Sequence, residues 1–181
     1  MSLRLVFALA GLALIGCSGD VTRPQVGRVE TDTTQQSGTT QTADSSGGFR
    51  LISCPGTQTV SNSGLLGVLG GTVTAAGSAI TLPLGAVVGP TLIRMTVPAS
   101  SYMEIDVTAN DLLSFLFRQS VTITIDYSRC PQSATQGKTL TVWHIDTQTK
   151  ALLENMNAVN DPVARRITFT TDHLSGYAIA Q

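Results

Sequence analysis

Much of the chain alternates apolar and polar side chains with a period of two. In "SVTITIDY", Val121, Ile123, Ile125 and Tyr127 fall on one side and Thr122, Thr124 and Asp126 on the other. "TLIRMTVP" sets Ile93, Met95 and Val97 against Leu92, Arg94 and Thr96, and "RITFTT" sets Ile167 and Phe169 against threonines. A strand points successive side chains to opposite faces, so this period predicts half-buried strands. "TLTVWHID" and "GYAIA" extend the set, and "FRLIS" is the expected first strand. "NDLLSFLFRQ" offers Leu112, Phe115 and Leu116 to a helical face. Its Phe115/Phe117 alternation runs directly into the next strand, which favours β. Turn formers separate the runs: Gly70-Gly71, Pro83 to Pro90, Asn110-Asp111 and Asn160-Asp161-Pro162. Many short strands so punctuated predict an all-β, antiparallel β-sandwich over residues 49–181.

The front of the chain is patterned differently. Arg4 is the only charged side chain before the apolar run Leu5 to Ile15. As a helix that run reaches about 16 Å, against a hydrocarbon core of about 30 Å. A positive start, a short apolar stretch and a small residue at the boundary predict a signal peptide over residues 1–16. Leu14-Ile15-Gly16-Cys17 resembles the lipobox of bacterial lipoproteins. That resemblance implies cleavage before Cys17, a diacylglycerol thioether on its sulfur and a further acyl chain on its new amine. Two or three acyl chains hold a protein to a membrane where one does so only marginally. Ser18, where an aspartate would favour inner-membrane retention, implies the outer membrane. The plain alternative is an ordinary signal peptide followed by a chance cysteine.

Composition changes abruptly after the anchor. "TDTTQQSGTTQTADSSGG", Thr31 to Gly48, has one alanine and no larger apolar side chain. Such a stretch buries too little surface to offset its ordering entropy. Residues 17–48 therefore comprise the lipidated Cys17 and a flexible Ser/Thr/Gln/Gly linker, with an r.m.s. span of roughly 30 Å. A glycosylated stalk is the other reading of its Ser/Thr content. Charge changes the picture only by exclusion. With 11 basic and 12 acidic residues, 5% aromatics and no basic cluster beyond Arg165-Arg166, a nucleic-acid partner is not expected. Cys54 and Cys130 remain after Cys17, and an even pair in an exported domain predicts a disulfide. Proline follows both, which sets them near strand ends.

The order of the β runs also resembles a known module. "LGGTVTAAGSAITLPLGAVVGPTLIRMTV" is similar to the opening of a ZU-five domain, the β-sandwich of ankyrins, netrin receptors and a tight-junction scaffold. Gly70-Gly71 matches its glycine turn, Ile80 to Pro83 its strand, and Gly85-Ala86 the end of its Pro-x-Gly-Ala motif. Thr91 to Val97, "FLFRQSVTITIDY" and "DHLSGYAIA" match later strands, so the resemblance spans Gly64 to Ala180. Leu84 departs from the small or proline residue often found there. The companion and death domains of the animal proteins are absent from this sequence, so their signalling roles do not carry over.

Candidate chemistry is sparse. "GLLGVLGG" lacks the Lys-Ser/Thr and the spacing of a phosphate-binding loop and reads as a turn. His144 and Asp146 share one strand face, either as a metal or catalytic pair lacking a third member or as surface polarity. Two cysteines with two scattered histidines do not make a zinc site, and neither a metal nor a cofactor is expected. "HLS" is more specific. Some relatives of this module, and adhesion-receptor cleavage domains, cut themselves at such a tripeptide. That resemblance would make His173 the base, Leu174 the source of the carbonyl and Ser175 the nucleophile. The alternative is a tight corner with Leu174 in the core and Gly176 relieving crowding. Together these readings predict a non-enzymatic lipoprotein of the bacterial envelope. It is held to the membrane through Cys17 and presents a binding or structural module to another envelope protein or a glycan. A self-cleaving module and, more remotely, an envelope hydrolase are the alternatives.

Overall fold

In the computed structural model, alternation becomes burial strand by strand. The structure describes residues 48–181. The signal peptide at 1–16, the lipobox cysteine Cys17 and the linker up to residue 47 lie outside the described residues. The described strands are β1 (Val60–Leu66), β2 (Gly71–Ala75), β3 (Ser78–Leu82), β4 (Thr91–Val97), β5 (Glu104–Ala109), β6 (Leu116–Asp126), β7 (Thr141–Ile145), β8 (Leu152–Asn155), β9 (Val159–Asp161), β10 (Arg166–His173) and β11 (Gly176–Ala180). One short helix, α1 (Gln132–Thr135), follows β6. Two antiparallel sheets result: a six-stranded one ordered β1-β4-β5-β11-β7-β8 and a five-stranded one ordered β2-β3-β6-β10-β9. They pack together as a β-sandwich.

The inward residues read from the period fill the space between the sheets. Ile93, Met95 and Val97 of β4 join Val121, Ile123 and Ile125 of β6 and Ile167 and Phe169 of β10 in one buried apolar cluster. The outer face of the five-stranded sheet carries threonines instead, paired across strands as Thr124 with Thr168 and Thr72 with Thr81, each 3.0 Å apart. Such cross-strand hydroxyl pairs give a solvated face hydrogen bonds while the opposite face stays dry.

Two expectations are corrected. "FRLIS" forms no strand. Leu51 and Ser53 make isolated bridges to Ala180 and Tyr102, because the segment touches two different partners in turn rather than running along one. In "NDLLSFLFRQ" the β preference holds only from Leu116 onward. Asn110 and Asp111 adopt left-handed backbone, at φ 51° and 63°, and turn the chain out of β5.

The disulfide expected from the cysteine count is present. Cys54 and Cys130 are both buried and bonded, tying the segment before β1 to the loop after β6. A second cross-link is ionic. Glu104 of β5 is only 2% exposed, and its carboxylate accepts a hydrogen bond from the Lys150 ammonium at 2.6 Å. Asp106, two residues along the same strand, has a carboxylate oxygen with no partner among the described residues. Burial, then the charge of Glu104, raise its pKa above the ordinary 3.8, with Lys150 opposing.

That shift has a definite sign. The folded state holds the Asp106 proton to a higher pH than the unfolded chain does. The resulting stability is complete below about pH 4 and is lost as pH rises through the folded value. Asp106→Asn mimics the protonated form. It should be more stable than the parent in urea titrations at neutral pH, with the difference closing near about pH 3. Equal stability at both pH values would contradict this.

Candidate functional site

The corner where β10 leaves one sheet for the other collects most of the polar chemistry of the domain. Two irregularities in strand register flank it. In β10 the pairing with β6 shifts between Thr171 and His173. In β7 the pairing with β8 shifts between His144 and Ile145. By simple alternation His144 shares the face of Val142, and the unbroken β7–β11 register sets it opposite the buried Tyr177, while Ile145 falls on the other face. The extra residues at the two shifts lie on the partner strands, Leu153 in β8 and the stretch between Leu116 and Val121 in β6. Both histidines of the chain thus sit opposite these irregularities, one in each sheet.

Folding also closes the distance between them. His144 lies opposite Glu154 in the β7–β8 hairpin, and His173 arrives from the other sheet at the end of β10. One ligating atom from each of His144, Glu154 and His173 lies within 4.8 Å of the others. His173 Nε2 is 3.9 Å from Glu154 Oε2, and the two imidazole centroids are 5.4 Å apart. Partial burial, and then the neighbouring His173 ring, hold the pKa of His144 below the usual imidazole value, with Glu154 opposing.

The backbone beneath is pinned. Thr171 Oγ1 donates to the His173 carbonyl at 3.1 Å and accepts from the His173 N–H at 3.2 Å. The Tyr177 hydroxyl donates to the same carbonyl at 2.6 Å. Burial pushes Tyr177 up to about 12, so it remains a donor through the physiological range. On the ring, His173 Nδ1 lies 3.2 Å from both Asp172 Oδ1 and Thr171 Oγ1. With the threonine proton committed to the carbonyl, Nδ1–H of His173 has Asp172 as its acceptor. Nε2, on the other side of the ring, faces Glu154.

The residues singled out in the sequence separate into distinct roles. Asp146 does not join His144. Its carboxylate accepts the Thr149 and Gln148 backbone N–H groups at 2.7 and 2.9 Å, shaping the β7–β8 turn. Those bonds hold its carboxyl below the usual range. Leu174 is buried and Gly176 is demanded by close approach, since a Cβ there would collide with the Thr147 methyl and sit 3.0 Å from Asp106 Oδ1. Leu174 donates its N–H to the Phe115 carbonyl at 3.0 Å, and the Ser175 carbonyl accepts from Val107 N–H at 3.2 Å. A hydrogen bond from the Ser175 hydroxyl to the His173 ring is not among those of the described residues; that ring faces Asp172, Thr171 and Glu154. Glu154, the third member of the cluster, was not singled out in the sequence. Compared with protein-family models and with curated proteins, the chain matches none.

Proposed function

We propose that this chain is a lipid-anchored envelope protein that presents a ZU-five-like β-sandwich as a binding module. The observation that carries the reading is the disulfide. It pairs two of the three cysteines within the sandwich, as expected of an exported domain, and leaves the lipobox Cys17 as the remaining one. The apolar run before Cys17 and the polar tether after it support the same arrangement.

A patch of exposed aliphatic side chains supports binding to a protein rather than to a glycan. Leu65, Val68, Leu69 and Val88 lie around one shallow depression, with Leu69 82% and Val88 71% exposed. Contiguous apolar surface of this kind marks interaction sites on soluble domains. It offers a sugar few hydrogen-bonding groups. In cell fractionation, Cys17→Ala should leave the membrane pellet or persist as an uncut precursor. Crosslinking in intact cells should capture an envelope protein with the parent and not with Leu69→Asp. A processed Cys17→Ala chain still in the membrane pellet would refute the anchor. Capture undiminished in a folded Leu69→Asp variant would refute the patch.

A further inference from the structure

His144, Glu154 and His173 are two imidazoles and a carboxylate drawn together from three strands in both sheets. The geometry points to a binding site for a divalent transition ion of the zinc type, with these three side chains as ligands and Asp172 as the carboxylate behind His173. Imidazole nitrogen suits zinc and its neighbours in the first transition row, whereas calcium and magnesium select oxygen donors. Three protein ligands leave one coordination position for water or for a donor atom of a partner.

The distances are compatible with capture after a small contraction. Four ligands at about 2.1 Å from a tetrahedral ion lie roughly 3.4 Å from one another. The present separations run up to 4.8 Å. The Glu154 side chain is 59% exposed, so it can swing inward, whereas the His173 ring is held through Nδ1, which lies 3.2 Å from both Asp172 and Thr171. A surface Glu beside a histidine is common and needs no ion. Here the supporting contacts go further. With Nδ1 against Asp172, His173 presents Nε2 toward Glu154, the placement of ring and carboxylate that orients metal-bound histidines. A bound ion would also link β10 of one sheet to the β7–β8 hairpin of the other, so binding should stabilise the fold.

The test uses the full chain, purified in detergent without a histidine tag and stripped with a chelator. Calorimetric titration with Zn²⁺ should show one ion per chain with a micromolar or tighter dissociation constant. Added zinc should raise the melting temperature. Co²⁺ should give visible absorption typical of a low-coordinate nitrogen and oxygen site. His144→Ala and His173→Ala should abolish binding, and Asp172→Asn should weaken it about 10- to 100-fold. Asp146→Asn, whose carboxylate serves only the turn, should bind as the parent does. Should a histidine variant fail to fold, Glu154→Gln decides. It should match the parent in metal-free melting temperature yet bind at least tenfold more weakly and gain less from added zinc. Absence of saturable binding by the parent, or unchanged affinity in Glu154→Gln, would overturn the assignment.

Discussion

Lys150→Met should cost the fold about 3–5 kcal/mol, far more than a partly exposed lysine ordinarily contributes. The reason lies in its partner. Glu104 is 2% exposed and its carboxylate meets the ammonium at 2.6 Å. Methionine keeps much of the apolar stem but removes the charge, stranding a carboxylate away from water. Asp106 two residues away aggravates this, because the two acids already repel through Asp106's raised affinity for its proton. Lys150 also has left-handed backbone, at φ 63°, which methionine inherits unchanged, so the comparison isolates the side chain. The double variant Glu104→Leu/Lys150→Met should recover most of the loss, since a buried ion pair and a packed apolar pair are often close in stability. Urea unfolding measures both. A loss below about 1 kcal/mol in the single variant would mean that Glu104 finds other compensation.

Removing the disulfide with Cys54→Ala/Cys130→Ala should cost about 4 kcal/mol, through the added freedom of the unfolded chain. The bridge closes a long loop, with a sequence separation of 76. Loop-closure entropy rises with that length, so the magnitude stands near the upper part of the range for single disulfides. In scanning calorimetry this corresponds to a melting-temperature drop of roughly 10–20 °C for a domain of this size. The same drop should follow reduction of the parent. A change of only a few degrees would show that the unfolded chain is already constrained by other means.

Strands that have one wet and one dry face were legible in the sequence. β4, β6 and β10 bury Ile93, Ile123 and Ile167 and expose or half-expose the residues between them, as alternation requires. β5 was not legible. It buries Glu104, a residue type that normally marks solvent, and cations distant in sequence, Lys150 in contact and Arg129 nearby, make that burial tolerable. The loss of strand character in "FRLIS" has a similar origin, since its bridges depend on where Ala180 and Tyr102 fall in the fold. The candidate site was half legible. His144 and His173 stood out by residue type, but their approach depends on how the two sheets stack. Glu154 faces His144 only through the register of a hairpin containing a bulge, and a period of two cannot locate a bulge. Asp146 satisfied the period yet serves the backbone of its own turn.

The central position of β11 bears on how the chain acquires its shape. β11 lies between β5 and β7 and is buried along its whole length. Without it the six-stranded sheet is two separate pieces, β1-β4-β5 and β7-β8. Its partner β5 lies far upstream, so their pairing must await synthesis of Gly176–Ala180 and then pay the entropy of closing a long loop. Completion of this sheet is therefore a late event. For a chain exported as proposed above, that delay is useful. A polypeptide that cannot complete its sheet until β11 emerges would stay threadable during such export, and Cys54 and Cys130 would still be able to meet afterwards.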